Sequence, residues 1–159
     1  MANICCVIPA RLNSSRFDRK LLKKINDLPL LEFVRRRVMK SFLNEDIYIT
    51  TGDKEIQKVN NKYGGNTIKS EKKHKDGTSR VIEAIENLNY KNVLIVQGDE
   101  PLVSKKLLNK FKKTMTNNPK IKSFNYVTKL KLKKDMYDEN IVKCVLSKDN
   151  YILDAFRKN

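Results

Sequence analysis

Three short stretches of this chain bring together residues able to hold a phosphorylated ligand. The first reads IPARLNSSRFDRK at 8–20, where Arg11, Arg16, Arg19 and Lys20 follow an apolar run. It lacks the glycines of a dinucleotide fingerprint and the Gly-Lys-Ser/Thr of a Walker loop, so side chains must supply the positive charge. Guanidinium groups grip phosphate oxygens in pairs, and an ammonium acts as a point charge. Ser14 and Ser15, with backbone N–H groups, could add donors. The second stretch reads VLIVQGDEP at 93–101, where Asp99 and Glu100 directly follow a buried run and Gly98 allows a tight exit. A carboxylate placed there suits Mg²⁺, which takes few protein oxygens together with substrate phosphates. The third reads HKDGTSR at 74–80. Asp76-Gly77 makes a turn, and Thr78 or Ser79 could cap the helix that follows. His74, the one histidine, reads as a loop residue. Taken singly, the three stretches also suit a solvated basic loop, a strand end with two solvated acids, and a helix cap.

The surrounding pattern says which elements must position these residues. ICCVIPA at 4–10 is a continuous apolar run, as in a strand buried on both faces. From Pro29, the spacing of Leu31, Val34, Val38 and Phe42 predicts an amphipathic helix. IYITT at 47–51 is a short β-branched run. A helix with Ile56, Val59 and Tyr63 on one face follows and stops at Gly64-Gly65. NTIK at 66–69 suits a third strand, Val81, Ile82, Ile85 and Leu88 a helix, and VLIVQ at 93–97 a fourth, buried strand. Ser104 could cap a helix carrying Leu107, Leu108, Phe111 and Met115. Beyond Pro119, SFNYVTKL, NIVKCVL and YILDAF read as strands, the last two joined by a turn at KDN.

The order is therefore β-α-β-α-β-α-β-α and then β-rich. That is an α/β fold, Rossmann-like, with a mostly parallel sheet, helices on both faces and a β-rich C-terminal part. Right-handed crossovers put the first strand centrally. Ligands bind such sheets beyond the C-terminal strand ends, at the switch point. The loops after 4–10 and 93–97 both lie at such ends, so they are expected to form one site.

At 159 residues the chain suits a single domain, taken as 1–159. The 34 Lys and Arg against 18 Asp and Glu give a formal charge of +16, which favours polyanions. The Lys residues are scattered rather than blocked, which also fits a generally Lys-rich surface. Cys5, Cys6 and Cys144 lie in apolar runs and read as reduced core thiols, not as a disulfide frame or zinc site. No stretch is long enough for a signal peptide or a membrane span, so a cytoplasmic location is expected.

Together the three stretches resemble the bacterial cytidylyltransferases that activate 3-deoxy-manno-octulosonate (Kdo), the CMP-Kdo synthetases. That family opens with IPAR-x-x-S-[ST]-R-[LF]-P-G-K-P-L, then carries A-T-D-D, H-x-S-G-T-[DE]-R and V-N-V-Q-G-D-E-P. Here the matching segments are IPARLNSSRFDRKLL at 8–22, TTGD at 50–53, HKDGTSR at 74–80 and VLIVQGDEP at 93–101. The resemblance implies a nucleotidyltransferase that passes the cytidylyl group of CTP to Kdo, releasing pyrophosphate, for lipopolysaccharide precursor synthesis. It implies that Arg11, Arg16 and Lys20 cradle the CTP phosphates and that Pro9 and Ala10 border the cytosine. Asp76, Gly77 and Thr78 would lie near the base, Arg80 and Gln97 would place nucleotide and sugar, and Asp99 would be the first Mg²⁺ ligand. Lys20, Arg11 and Asp99 would then serve the chemistry directly.

The sequence also departs from the pattern. Asp18-Arg19 replaces Pro-Gly, so the glycine-dependent turn is expected to be lost; Leu21 replaces the next Pro. Asp76 stands for Ser, Ser79 for Asp/Glu, and Gly52 for the first Asp of A-T-D-D. Family members continue past FRKN through a dimer-forming segment, much of the sugar wall and a second metal-binding aspartate. The expectation is a truncated chain that keeps the nucleotide-binding part, with weak or no turnover. Two other readings remain: a cytidylyltransferase for another 2-keto sugar acid of the sialic-acid type, and a non-catalytic nucleotide- or nucleic-acid-binding basic domain. The nucleic-acid reading is disfavoured because no nucleic-acid motif is present.

Overall fold

The computed structural model describes residues 3–13 and 17–157. They fall into two compact units, one up to Lys120 and one from Ile121.

The first unit is built on a four-stranded sheet. The apolar run at the start forms β1 (Ile4–Pro9), in which all six residues are buried. It is followed by a small antiparallel ribbon, β2 (Lys24–Ile25) and β3 (Leu28–Pro29), and by α1 (Leu30–Val38). Next come β4 (Ile47–Thr51), α2 (Lys54–Lys62), β5 (Asn66–Lys69), α3 (Gly77–Ile85), β6 (Asn92–Ile95) and α4 (Lys105–Asn117). The sheet order is β5-β4-β1-β6, all parallel, with Cys6 opposite Ile47 on one side and Leu94 on the other. The first strand is central, as right-handed crossovers require.

Alternation along β1 sends neighbouring side chains to opposite faces. Cys5 and Val7 pack with Val81 of α3, and Tyr48, Ile85, Leu88, Tyr90 and Val93 surround them. Cys6 and Ile8, on the opposite face, are equally buried, so both faces of β1 are covered. Leu31, Val34 and Val38 of α1 are sealed from solvent. Each such side chain contributes about 1.5–3 kcal/mol by leaving water.

The helix ends follow from local chemistry. Gly64, at φ 71°, ends α2: its N–H reaches Asn61 O and that of Gly65 reaches Asn60 O. This double bond to the last free carbonyls is a Schellman closure. Ser104 Oγ accepts from Leu107 N and caps α4, as its position suggests. At α3 the expectation was wrong in detail. The cap is Asp76, which accepts from Ser79 N at 2.8 Å while Ser79 Oγ returns to the Asp76 backbone. Thr78 is an ordinary first-turn residue. The Asp76 carboxylate, at the position just before the first helical residue, reaches the N3 amide, whereas the hydroxyls of Thr78 and Ser79 already lie inside the helix.

The fourth strand is shorter than its apolar run, ending at Ile95 rather than at residue 97. Val96 N still reaches Val7 O, and then the chain turns away at Gly98.

The second unit contains β7 (Lys143–Leu146) and β8 (Ile152–Phe156), paired antiparallel with an irregularity at Val145/Leu146. Asn150, at φ 63°, makes the turn expected at KDN. Lys143 is buried inside the hairpin, with Nζ donating to the carbonyls of Asp138 and Arg157. SFNYVTKL, expected as a strand, carries no ladder: 121–131 is irregular. Alternation alone does not make a strand without a partner edge to pair with. Among the described residues no helix is long and apolar enough to cross a membrane.

Candidate functional site

The loops after β1 and β6 and the start of α3 converge on one cleft of about 240 Å³. It lies at the C-terminal ends of neighbouring strands β1 and β6, where the chain switches direction of winding. Of the residues singled out in the sequence, Pro9, Ala10, Arg11, Lys20, Asp76, Gly77, Arg80, Gln97 and Asp99 line it. Thr78 does not. Arg16, with Ser14 and Ser15, lies outside the described residues.

Two glycines permit the close approach of these elements. A Cβ on Gly77 would meet Pro9 Cγ at 3.1 Å, so the missing side chain eases the close start of α3 against the end of β1. A Cβ on Gly98 would meet Pro9 O and the methyls of Leu21 and Leu31 at 3.3 Å.

The cationic end of the cleft is organised by backbone tethers. Ala10 N donates to Thr50 O at 2.9 Å and Leu12 N to Asp53 Oδ2 at 2.8 Å. Asp53, the last residue of the TTGD segment, therefore holds the basic loop against the end of β4. Further on, Arg19 N donates to Leu12 O, and Arg19 itself stands at φ 54°. The turn expected to be lost with the family glycine is thus kept, with Arg19 in the left-handed conformation. Its guanidinium leaves the cleft and pairs with Glu55. A short 3₁₀ turn at Lys20–Leu22 follows and brings Lys20 inward. Lys20 Nζ lies 2.7 Å from Asp99 Oδ2, with both side chains part-exposed in the cleft.

His74, expected only as a loop residue, also enters the lining. Its side chain is only 8% exposed, and Nε2 lies 2.6 Å from Glu83 Oε2 on α3. Glu83 also accepts from Ser70 Oγ at 2.7 Å and from the backbone N–H groups of Glu71 and Lys72. These hydrogen bonds, Ser70 first and His74 next, hold the Glu83 carboxyl down at about 2. The signal for this cluster was present as a His nine residues before a Glu, but only the loop conformation brings them together. Asn13, Leu21 and Gly98 complete the lining.

Asp99 presents a carboxylate to the cleft. Only its Oδ2 is engaged, by Lys20, and its carboxylate faces the same cleft as Arg11 and Lys20. Among the described residues no group of three or more His, Cys, Asp or Glu could hold a metal ion. The donor set therefore fits a cation that takes one carboxylate plus phosphate oxygens and water, and does not fit a cage of protein ligands.

Comparison with known proteins agrees with this geometry. The cytidylyltransferase family model matches residues 5–158. The 3-deoxy-manno-octulosonate cytidylyltransferase of Fusobacterium nucleatum is 34% identical over 148 residues, covering 92% of this chain and 60% of that protein. That of Francisella philomiragia is 34% identical over 156 residues, covering 96% and 62%. The chain thus spans about 60% of the length of these curated relatives. A solved structure of CMP:2-keto-3-deoxy-manno-octonic acid synthetase complexed with CTP superposes with a TM-score of 0.85 at 22% identity, over 99% of this chain and 65% of that one. That likeness establishes the α/β fold, and the family match across nearly the whole chain establishes that it belongs to the cytidylyltransferase family.

Proposed function

We propose that the cleft binds CTP with a divalent cation, Mg²⁺, and that the chain supplies the nucleotide-binding part of cytidylyl transfer to Kdo. The observation that carries this reading is the convergence of Arg11, Lys20 and Asp99 with Pro9, Ala10, Gly77 and Gln97 in one cleft. Relatives bearing that activity by name support the choice of nucleotide and sugar acid. Arg11 and Lys20 attract the triphosphate, and the Asp53 tether keeps their loop in place. Arg16 belongs to the same basic loop and is proposed to join them. Pro9, Ala10 and the close-packed start of α3 border the nucleoside, with Asp76 and Gly77 on the base side and Arg80 and Gln97 helping to place nucleotide and sugar; Thr78, expected with them, stands off the cleft wall.

In the reaction, the anomeric hydroxyl of the sugar acid attacks the α-phosphorus and pyrophosphate leaves. Negative charge grows on the phosphoryl oxygens and the leaving group. Lys20 and Arg11 stabilise that charge from the cleft wall, so their contribution is positioning and electrostatics. A divalent cation held by Asp99 supplies further neutralisation of the phosphates when bound. Buried, unpaired Cys5 and Cys6 suit a reducing, cytoplasmic setting.

The test is a nucleotide panel followed by a sugar panel. The chain is expected to bind CTP in preference to ATP and GTP. With CTP, Mg²⁺ and Kdo it is expected to release pyrophosphate slowly or not at all. Equal binding of all nucleotides would overturn the cytidylyl reading, and faster turnover with a sialic acid than with Kdo would reassign the acceptor.

A further inference from the structure

His74 sits in the loop that leads into α3 and, with Gly77, lines the cleft. Its Nε2 lies 2.6 Å from a Glu83 oxygen. Glu83 is ionised at neutral pH, held so by Ser70 and His74, and an ionised carboxylate only accepts hydrogen bonds. The bond therefore assigns the proton of the neutral imidazole to Nε2. Nδ1 is left as an acceptor, and no described residue donates to it. Glu83 is anchored in turn by Ser70 Oγ, Glu71 N and Lys72 N, so neither ring nor carboxylate is free to turn over.

A fixed acceptor on the wall of a nucleoside pocket discriminates between pyrimidines. Cytosine presents an exocyclic amine, a donor, where uracil presents a keto oxygen, an acceptor. We propose that His74 is the residue that selects cytosine over uracil, its Nδ1 accepting from the exocyclic amine, and that Glu83 is the positioning residue that fixes the tautomer. This inference rests on the proposed binding of CTP in this cleft. Uracil at the same place would set a keto lone pair against the Nδ1 lone pair, leaving both polar atoms without a partner.

The test measures dissociation constants of CTP and UTP for the full chain and two variants, His74→Gln and His74→Asn. A Gln amide nitrogen reaches the Nε2 position and keeps the bond to Glu83, but leaves no acceptor at Nδ1. An Asn amide oxygen reaches the Nδ1 position and keeps the acceptor, but loses Glu83. The wild-type chain is expected to favour CTP by about tenfold or more, the worth of one well-made polar contact. His74→Gln should bring the two nucleotides to near-equal affinity, while His74→Asn keeps the larger share of the preference. Glu83→Gln, which releases the tautomer, should reduce the preference without altering any group on the cleft wall. If His74→Gln keeps the preference, or if the wild-type chain binds CTP and UTP equally, the assignment of His74 falls and nucleotide binding stands. If the wild-type chain binds neither nucleotide, both fall.

Discussion

Lys20 Nζ and Asp99 Oδ2 lie 2.7 Å apart, joining the end of the basic loop to the loop after β6 across 79 residues of sequence. Each is the ion-pair partner of the other. In the proposed function, phosphate would compete with Asp99 for Lys20 and a divalent cation with Lys20 for Asp99, so binding both at once would separate the pair and give each residue a stronger partner.

Lys20→Ala removes a cation from the phosphate end and leaves the Asp99 charge unopposed. CTP affinity is expected to fall about ten- to hundredfold, the range of a charge-assisted contact to phosphate. Fluorescence titration with a labelled CTP would measure it. An unchanged affinity would remove Lys20 from the phosphate site.

Arg19 holds the left-handed turn that leads Lys20 into the cleft, at a steric cost of about 1 kcal/mol for a residue with a Cβ. Its pairing with Glu55 is exposed and returns little. Arg19→Gly is expected to raise stability by roughly 0.5–1 kcal/mol. Urea unfolding would show a higher midpoint with an unchanged slope. A lower midpoint would mean that the Glu55 pairing outweighs the turn.

The Glu83 carboxyl is held down from an ordinary 4.5 to about 2. A depressed carboxyl stabilises the folded chain above its unfolded value and loses that contribution as pH falls through its folded value. The loop at 70–74 should therefore keep its hydrogen-exchange protection above about pH 5 and lose it between pH 4.5 and 2. In Glu83→Gln that acid-dependent loss should be absent. An identical acid profile in the variant would contradict the assignment.

Cys5 and Cys6 are completely buried in β1. Burial pushes the Cys5 thiol up to about 11 and raises Cys6 further. Thiols react as thiolates, so a disulfide reagent at pH 8 should label Cys144 in the native chain and all three cysteines only after unfolding. Fast native labelling of Cys5 or Cys6 would indicate that the centre of the sheet opens.

Much of this was legible in the sequence because local chemistry and global fold agree. The run ICCVIPA suits a doubly covered strand, and with β1 central the loops after it and after β6 share a crevice. That Arg11, Lys20 and Asp99 line one cleft follows from the places of their loops in that order. What was not readable depended on backbone geometry or distant partners. Arg19 adopts a conformation that sequence rules reserve for glycine, because Leu12 O and the turn at Lys20 hold it there. Asp53, quoted only as the end of TTGD, secures a loop 41 residues earlier in the chain, a partner that the segment itself does not reveal. His74 was discounted as a lone histidine, since its partner Glu83 lies on the next helix and becomes a neighbour only when the loop folds back. SFNYVTKL carried strand-forming residues but found no edge.

The central claim is that the cleft couples CTP to a divalent cation through Asp99. Calorimetric titration of CTP into the chain and into Asp99→Asn, with and without Mg²⁺, tests it most directly. For the wild-type chain, Mg²⁺ should tighten CTP binding. In Asp99→Asn, Lys20 is released from its carboxylate partner, so CTP should bind without Mg²⁺ at least as tightly as in wild type, and Mg²⁺ should add nothing. No CTP binding by the wild-type chain, or the same gain from Mg²⁺ in both proteins, would contradict the account.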